Sequence, residues 1–344
     1  MRETINKLRF GTALVVLALS CSIRSELTPK WRVITESAKN HSVSFDSVVF
    51  FDSLTGLALT GLSLEKSTDG GKTWTSTLPY NSSKGLDSMF FVNRKNGWIV
   101  GSENKNASAS VASPDNHKPL ILKTEDGGAT WAQVNIEETR LGKDHMRFSV
   151  FSSLCVDTAG KFWVVGDAGL IEGTIEQETF EVTNVIFTES PLNNVLCGGS
   201  GEVWAVGDNG LVMHFQNTWA TQYLNKEAFF MRVKAVGDDV WLIGGVRSRK
   251  QIQPEGLLLR SRNRQDWRDE TPPSRGAFSD MYLTGGEGWL VGAGGSIFHT
   301  SDEGHTWKPV QSPTDSDLLS IFFINRSQGW ISGSRLTILA LGAN

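Results

Sequence analysis

Cysteine, tyrosine and charge are all scarce in this sequence, and each shortage excludes a class of protein. Three cysteines in 344 residues are too few for a disulfide scaffold. Only 20% of the residues are charged, and a net charge of -4 lacks the basic footprint of a general nucleic-acid binder. The apolar run from Phe10 to Leu19 is too short to span a bilayer. What the chain does have is 35 glycines and 12 tryptophans, at a length that suits one large all-β domain.

The amino terminus has the pattern of a processing signal. Basic residues precede the apolar run, which ends in Leu17-Ala-Leu-Ser-Cys21. Small and apolar residues directly before a cysteine resemble the bacterial lipoprotein box. We therefore predict a signal peptide over residues 1–20, lipidation of Cys21 and a tether over residues 21–30. The alternative is an ordinary secretory signal cleaved nearby, and either one places the remaining chain outside the cytoplasm.

Two short motifs recur along the chain. An octet of the form Ser/Thr-x-Asp-x-Gly-x-Thr-Trp occupies residues 67–74, 124–131 and 300–307. A strand motif of the form x-Trp-x-x-Gly occurs six times, and a weaker copy spans Thr55–Gly61. Repeats at this spacing, each with four predicted strands, indicate the blades of a β-propeller.

The tryptophans give the number of blades. Six of them lie in the second strand of a unit, where Leu57 takes the remaining place, and six more open a fourth strand, where Phe180 takes the remaining place. Two places in each unit therefore predict seven blades over residues 31–344. The last unit lacks a fourth strand, so we expect the strand that begins at Trp31 to pair with it and close the ring.

The octet itself is predicted to be structural. A tight turn needs glycine in left-handed backbone conformations, and an aspartate can accept hydrogen bonds from the turn amides. The tryptophan then packs between sheets. We assign this role, with neither catalysis nor metal binding, to the following six residues: Asp69, Trp74, Asp126, Trp131, Asp302 and Trp307.

One succession of motifs recurs in this chain: the strand motif, then Leu-Ile-Leu-Lys-Thr or Ile-Phe-His-Thr, and then the octet. This succession resembles the photosystem II stability/assembly factor family. The resemblance extends from about Trp31 to Leu341, although blades three, four and five keep only the terminal aromatic of the octet. It implies a seven-bladed propeller outside the cytoplasm, lipid-anchored as in cyanobacteria, that serves as a docking platform for a membrane complex. It also implies an arginine-rich patch, for which Arg147, Arg232 and Arg275 are the positional candidates.

Departures from the repeat concentrate on one side of the predicted propeller. The linkers between blades and the turns between second and third strands share this side, which we call the rim. The departures are the segments Ser102–Lys118, Ile136–Met146, Val246–Glu255 and Arg268–Ser274. Loops on a rigid scaffold commonly carry recognition, so we add Arg247 and Arg249 to the predicted partner-binding residues. Solvated loop charge is the alternative interpretation.

Cys155 and Cys197 fall on the inner strands of adjacent blades, one register position apart. Since side chains alternate along a strand, this offset points the two thiols either towards or away from each other. Buried thiols are the default expectation, and a disulfide is the alternative.

Glycoside hydrolysis is the competing function, because octets of this kind also occur in sialidases. A sialidase uses a tyrosine nucleophile paired with a glutamate, together with an arginine triad. The chain has only three tyrosines, and Tyr282, on an inner strand, has no obvious glutamate partner. The six histidines show no paired metal-ligand spacing.

We therefore expect a monomeric, non-catalytic propeller that is anchored by lipid outside the cytoplasm. The expected partner is a protein of a membrane or envelope complex. No cofactor, metal or nucleic acid is expected.

Overall fold

Small antiparallel sheets follow one another along the chain, each made of strands in sequence order. In the computed structural model the described residues are 30–37, 43–78, 83–104, 116–137, 140–141, 148–199, 201–247, 253–274 and 276–342. They form seven sheets, six with four strands and one with five. The predicted all-β, seven-bladed propeller is confirmed.

The strands are numbered in chain order, and each blade begins with its inner strand except blade three, where β10 lies at the outer edge. Blades one and two contain β2 Ser47–Phe50, β3 Gly56–Thr60, β4 Ser63–Ser67 and β5 Thr75–Leu78, then β6 Lys84–Phe91, β7 Gly97–Asn104, β8 His117–Thr124 and β9 Ala132–Gln133. Blades three and four contain β10 Asn135–Ile136, β11 Phe151–Val156, β12 Phe162–Gly166, β13 Gly169–Glu176 and β14 Thr179–Phe187, then β15 Leu192–Cys197, β16 Val203–Gly207, β17 Leu211–Phe215 and β18 Trp219–Tyr223. Blades five and six contain β19 Ala228–Val236, β20 Asp239–Val246, β21 Glu255–Ser261 and β22 Arg268–Asp269, then β23 Phe278–Thr284, β24 Glu287–Gly292, β25 Ser296–Thr300 and β26 Lys308–Pro309. Blade seven contains β27 Leu318–Asn325, β28 Gln328–Gly333, β29 Thr337–Leu341 and β1 Trp31–Thr35.

The ring closes through the first strand of the chain. β1 pairs antiparallel with β29, and Trp31 lies opposite Leu341. The Trp31 side chain is buried and meets the rings of Trp289 and Phe323 edge-on, at centroid distances of 5.3 and 5.9 Å. The predicted closure is confirmed, and it removes one sheet edge that would otherwise stay open.

Two faces of the propeller differ in the loops they carry. The octet turn of a blade bonds to the turn between that blade's first and second strands, since Gly70 N–H donates to Leu54 O and Gly127 N–H to Lys95 O, both at 2.9 Å. We call this side the octet face. The blade linkers and the turns between second and third strands form the rim on the opposite side.

Glycines of the strand motif make room for bulky neighbours. A Cβ on Gly97 would lie 2.5 Å from the ring of Phe91, its cross-strand partner. In blade four the same place is filled by Val203, and its partner on the inner strand is the smaller Cys197. The summed size of the pair is therefore kept while the individual residues change.

Two predicted rim segments contain more regular structure than expected. Asn135–Ile136 pairs in parallel with β14 and forms a fifth strand at the outer edge of blade three. β7 and β8 extend into the predicted interruption, so that Asn104 lies opposite His117. No side-chain pattern encodes this backbone pairing, which explains why the sequence did not indicate it. Arg268–Asp269, in a third segment, is the outer strand of blade five that the sequence predicted after Trp267.

The inner strands of six blades contain a β-bulge near the rim. This bulge determines how the inner strand of blade five aligns with the others. In these six blades the register shifts across the bulge. The residue before the bulge lies opposite the glycine that ends the motif on the second strand. In blade five that residue is Phe230, opposite Gly244. The sequence pattern alone aligns Met231, one residue later, with the first residues of the other inner strands. The bulge moves that alignment to Phe230, so Arg232 is the residue directly after the bulge.

Candidate functional site

The predicted arginine patch is only partly within the described structure. Arg232 and Arg247 both lie at the rim end of blade five, on β19 and just after β20. Arg147, Arg249 and Arg275 lie outside the described residues, as does the predicted lipidation residue Cys21. The geometry of the candidate site is therefore that of blade five and its neighbours around the channel mouth.

Polar side chains directly after the bulge link neighbouring blades. Asn194 Oδ1 accepts a hydrogen bond of 3.0 Å from Val233 N–H in the next blade. Asp280 Oδ2 accepts one of 3.1 Å from Ile321 N–H, again in the next blade. The scaffold therefore uses this position for a hydrogen-bond acceptor, which satisfies a buried backbone amide across the blade interface.

Arg232 occupies this same position in blade five and breaks the rule. A guanidinium has donors only, so it cannot accept from the next blade. Met281 N–H, which would be the donor there, bonds instead to the side chain of its own neighbour Asp280 at 2.8 Å. Arg232 Nη1 donates to Met231 O at 2.9 Å, and no carboxylate of the described residues lies within ion-pair distance of it. The guanidinium remains partly exposed at the channel mouth.

Arg247 is exposed but held in place on the rim. Its guanidinium carbon lies 4.7 Å from the centre of the Phe229 ring, and Nη2 is 3.5 Å from Asp208 Oδ2 in blade four. The backbone N–H of Arg247 donates to Glu227 O at 2.8 Å. Stacking on an aromatic ring leaves the edge of a guanidinium free to donate hydrogen bonds. Blade five thus presents two fixed cationic groups on the side where partner binding was predicted.

The opposite side of the channel mouth is acidic. Asp46 and Asp87 lie in the corresponding part of blades one and two, and Asp46 Oδ2 accepts from Gly61 N–H at 2.8 Å. Burial raises the pKa of Asp46. Burial, and then the nearby charge of Asp46, raise the pKa of Asp87 to about 6, although its side chain still reaches the solvent of the channel. Asp46 and Asp87 thus lie across the mouth from Arg232, while the carboxylates nearer to blade five, Asp208 and Asp280, are paired with Arg247 and Lys234.

Apolar side chains are also exposed on the rim. Leu62 lies in the turn after β3, Met231 is at the bulge of β19, and Tyr223 ends β18, and all three are exposed. A rim with fixed cations and separate apolar side chains offers contacts for a polypeptide, since Arg and Tyr are common anchors at protein interfaces.

The octet aspartates bond to their own turns. Asp69 Oδ1 accepts from the N–H groups of Lys72 and Thr73 at 3.0 and 2.9 Å, and Thr73 Oγ1 donates to Oδ2 at 2.6 Å. Asp126 repeats these contacts, and Asp302 repeats those from the threonine. Hydrogen bonds from the threonine of each octet hold the pKa of Asp69, Asp126 and Asp302 at about 2. These contacts support the structural role proposed for the octets.

The turn before Trp267 in blade five differs from the octets. Asn263 Oδ1 accepts from the N–H groups two and three residues further on, at 3.0 and 2.8 Å, whereas Asp69 accepts from those of the third and fourth. Arg264 takes a positive φ of 67°, where the octets have glycine. The turn is one residue shorter than an octet and lacks both signature residues, in agreement with the loss of the octet predicted for this blade.

Cys155 and Cys197 form a disulfide between the inner strands of blades three and four. The expected register is correct, since one residue lies opposite Trp163 on β12 and the other opposite Val203 on β16. Buried thiols, the default expectation, were wrong. Alternation along the strands allowed both orientations, and only the stacking of the two blades decides that the thiols face each other.

Tyr282, the tyrosine considered for glycoside hydrolysis, and two of the six histidines contact neighbouring side chains. Tyr282 stacks on Phe323 of the next blade at a centroid distance of 4.1 Å. His214 stacks on Trp204 at 3.9 Å, and His299 lies 2.6 Å from Glu287 Oε2. Within the described part of the chain, no group of His, Cys, Asp or Glu side chains is arranged to hold a metal ion.

A cavity of about 330 Å³ between blades five and six contains charged side chains that satisfy one another. Asp239 receives hydrogen bonds from Arg260 at 2.5 Å and Arg262 at 3.0 Å, and Arg260 also approaches His305. Burial acts to raise the pKa of Asp239, but the hydrogen bonds from Arg260 and Arg262 outweigh it and hold this pKa below its usual value. The network ties two blades together on the octet face.

Among the described residues there is no helix with the length and apolarity needed to cross a membrane.

Sequence comparison confirms the predicted family resemblance. Residues 251–341 match the family model described as photosynthesis system II assembly factor YCF48. The photosystem II assembly lipoprotein Ycf48 of Nostoc sp. (strain PCC 7120) is 26% identical over 301 residues, which is 74% of this chain and 82% of that protein.

Solved structures with the same fold include both relatives and enzymes. The structure of YCF48 bound to D1 peptide is 20% identical, with a TM-score of 0.65, and the match covers 91% of this chain and 97% of that one. YCF48 from Cyanidioschyzon merolae is 15% identical, with a TM-score of 0.61 and coverages of 91% and 98%. A GH74 xyloglucanase from Xanthomonas campestris is 12% identical, with a TM-score of 0.63, over 91% of this chain but 53% of the enzyme. At these identities the likeness establishes the fold alone.

Proposed function

We propose that this chain is a photosystem II assembly factor-like propeller that binds a segment of a membrane protein at the rim and performs no chemistry itself. In this proposal it is a monomer outside the cytoplasm, and a lipid on Cys21 holds it to the membrane. Arg147, Arg232, Arg247, Arg249 and Arg275 contribute the cationic contacts to the partner.

Arg232 is the observation that carries the proposal. It replaces a hydrogen-bond acceptor at a position where neighbouring blades use that acceptor to bind one another. Local rules of a fold are usually broken where function requires it. A cation that contributes nothing to the blade interface, and that stays partly exposed at the channel mouth, suits a carboxylate from a binding partner.

The relatives support a polypeptide as that partner. One related protein is a photosystem II assembly lipoprotein, and a related structure has a D1 peptide bound. The charges at the mouth also restrict how a segment binds. A carboxylate-bearing end is attracted to blade five and repelled by Asp46 and Asp87, so the rim favours one direction of the bound segment.

Binding of a D1 peptide tests this proposal directly. We expect the mature chain to bind the peptide, and Arg232→Ala to weaken binding about ten-fold or more, since hydrogen bonds to charged groups contribute about 1.5–3 kcal/mol. Titration calorimetry at low and high salt measures both the affinity and its electrostatic part. Arg326→Ala is the matched control, because Arg326 is an exposed arginine in a turn of the octet face.

Equal loss of affinity in Arg232→Ala and Arg326→Ala would contradict a rim site. Absence of peptide binding to the wild-type chain would leave the partner to be found by co-purification from native membranes, and unchanged recovery with Arg232→Ala would reject the patch.

Absence of catalysis is tested separately. We expect no turnover of fluorogenic sialosides or β-glucosides. Turnover that Tyr282→Phe abolishes would instead establish the hydrolase alternative, since a sialidase uses tyrosine as its nucleophile.

A further inference from the structure

We propose that the octet face of the propeller rests on the bilayer, with Leu54 and Val92 in contact with the lipid, so that the rim points away from the membrane. This inference rests on the proposed lipid anchor at Cys21. It goes further by assigning a second surface, with a lipid interface as its occupant, to the side opposite the partner site.

The entry point of the chain is the first argument. β1 fills the fourth-strand place of blade seven, and Trp31 corresponds to the tryptophan that ends each octet. Lys30 therefore lies where the other blades have the last residues of an octet turn. Nine residues, 22–30, separate Cys21 from Trp31. Ten Cα–Cα steps join Cys21 to Trp31, so the tether reaches at most about 33–36 Å. The shortest route from the anchor to the fold therefore reaches the octet face.

Contacts connect this entry point with the turn that bears Leu54. On the third strand, β29, Leu341 pairs with Trp31, and its neighbour Ala340 lies opposite Trp330. Trp330 Nε1 donates to Gly70 O at 3.0 Å, and Gly70 N–H donates to Leu54 O at 2.9 Å. The anchor thus enters beside blade one rather than on the far side of the ring.

Two apolar side chains project from adjacent turns of this face. Leu54 is 55% exposed and Val92 is 47% exposed. The aromatic residues just before them, Phe51 and Phe91, meet edge-on at 5.1 Å, so the two turns lie side by side.

Both turns are held rigid by their own side chains. Asp52 Oδ1 accepts from Leu54 and Thr55 N–H at 2.9 and 2.7 Å. Asn93 Oδ1 accepts from the N–H groups of Lys95 and Asn96, both at 2.8 Å. Leu54 and Val92 are therefore fixed outside the core before they meet the lipid. Inserting them costs no further chain entropy, which favours their shallow burial in a lipid interface.

Exposed cations surround these side chains, and the carboxylates among them are bonded within their own turns. Arg94 and Lys95 follow Val92, and Lys72 lies in the adjacent octet. Lysine and arginine near a bilayer surface are attracted to anionic headgroups. The carboxylates of these turns, at residues 52, 69 and 126, each accept hydrogen bonds from backbone N–H groups of the same turn.

Position-specific fluorescence tests the orientation. The full chain is lipidated on Cys21 in a bacterial host, and Leu54→Cys then provides the single free thiol, because Cys155 and Cys197 are joined. Leu62→Cys is the matched control, since Leu62 is 42% exposed in blade one at the other end of β3. Each variant is labelled with the fluorophore NBD and reconstituted in phosphatidylcholine and phosphatidylglycerol vesicles. Vesicle-bound protein is isolated by flotation.

The expected result is a blue shift at Leu54→Cys and loss of its intensity with nitroxide lipids, with neither change at Leu62→Cys. The proposed orientation would be overturned if nitroxide lipids quenched Leu62→Cys instead of Leu54→Cys, or if they quenched both positions or neither. Failure to float would reject the lipid anchor of the proposed function, and that outcome is distinguished before any fluorescence is read.

Discussion

Cross-strand pairs at single positions show how the repeat tolerates variation. The inner-strand residue opposite the first motif position is a phenylalanine or a leucine where that position is glycine, a cysteine or an alanine where it is valine, and a valine where it is phenylalanine; in chain order these partners are Phe50, Phe91, Val156, Cys197, Ala235, Leu283 and Phe323. Close packing allows one bulky partner in each pair, whichever strand supplies it.

This size rule predicts a compensating double substitution. Gly97→Val alone forces its side chain into the ring of Phe91, and we expect a loss of about 1–3 kcal/mol in the free energy of unfolding. Gly97→Val with Phe91→Cys recreates the pair of blade four and should recover most of that loss. Urea unfolding of the four proteins in a double-mutant cycle gives the coupling. Additive losses would show that the pairs are not interchangeable.

A second prediction at this scale concerns the pH dependence of stability. The pKa of Asp87 is raised from 3.8 to about 6, so the native state retains its proton more strongly than the unfolded state. Stability therefore falls as the pH rises from about 4 through about 6. Asp87→Asn should remove this slope and stabilise the protein above pH 6 by on the order of 1 kcal/mol, because channel solvent screens part of the repulsion.

Thermal unfolding between pH 4 and pH 8 measures this effect. Glu189→Gln, at an exposed acidic residue in the linker to blade four, controls for the loss of one negative charge. The assignment fails if both variants keep the slope of the wild-type chain.

The second and third strands of several blades are joined by a polar side-chain contact that the sequence motif does not reveal. The residue two places before the motif tryptophan contacts the residue opposite that tryptophan on the third strand. This contact is repeated in four blades as Lys161–Glu172, Glu202–His214, Asp239–Arg260 and Glu287–His299. The signs reverse between blades but the pairing is kept. Only alignment of the strands in space reveals it, because the partners lie 11 to 21 residues apart in sequence and their types change.

The link between β11 and β15 leads to a prediction about stability. Cys155→Ser with Cys197→Ser removes the disulfide, and we expect a loss of up to about 4 kcal/mol, because the bridge closes a loop with a sequence separation of 42. Chemical unfolding with and without reductant measures it. Reductant should destabilise the wild-type chain and leave the double variant unchanged. An equal response of both proteins would place the effect elsewhere.

At the scale of the whole molecule, closure by β1 is the testable feature. Trp31 is buried between Trp289 and Phe323, so Trp31→Ala should lower the free energy of unfolding by about 3–5 kcal/mol. Trp219→Ala is the matched control, because Trp219 has the same fourth-strand place in blade four but is only half-buried. Calorimetry compares the two, and a smaller loss for Trp31→Ala would show that the ring does not depend on its closing strand.

The fold was predictable from the sequence to a greater extent than the site. Each blade repeats a tryptophan, a glycine turn and an apolar strand, so errors in one blade are corrected by the others, and even the closing strand at Trp31 followed from counting. The site has no such redundancy. Arg232 is unusual because the residues at the same position in other blades, Asn194 and Asp280, accept a hydrogen bond from the next blade. This equivalence depends on the bulge, which shifts the alignment of the inner strand by one residue.

The pairing of Trp31 with Leu341 also sets the order of events during synthesis. β1 is among the first segments of the propeller to be synthesised, and β29, its strand partner among the described residues, is among the last. At about 5–20 residues per second, the first strand waits tens of seconds for that partner. During this interval β1 lacks the other three strands of blade seven, and the apolar face of Trp31 is uncovered. An anchored amino terminus would keep that strand beside the growing ring, so acylation of Cys21 would serve maturation of the chain as well as its final location.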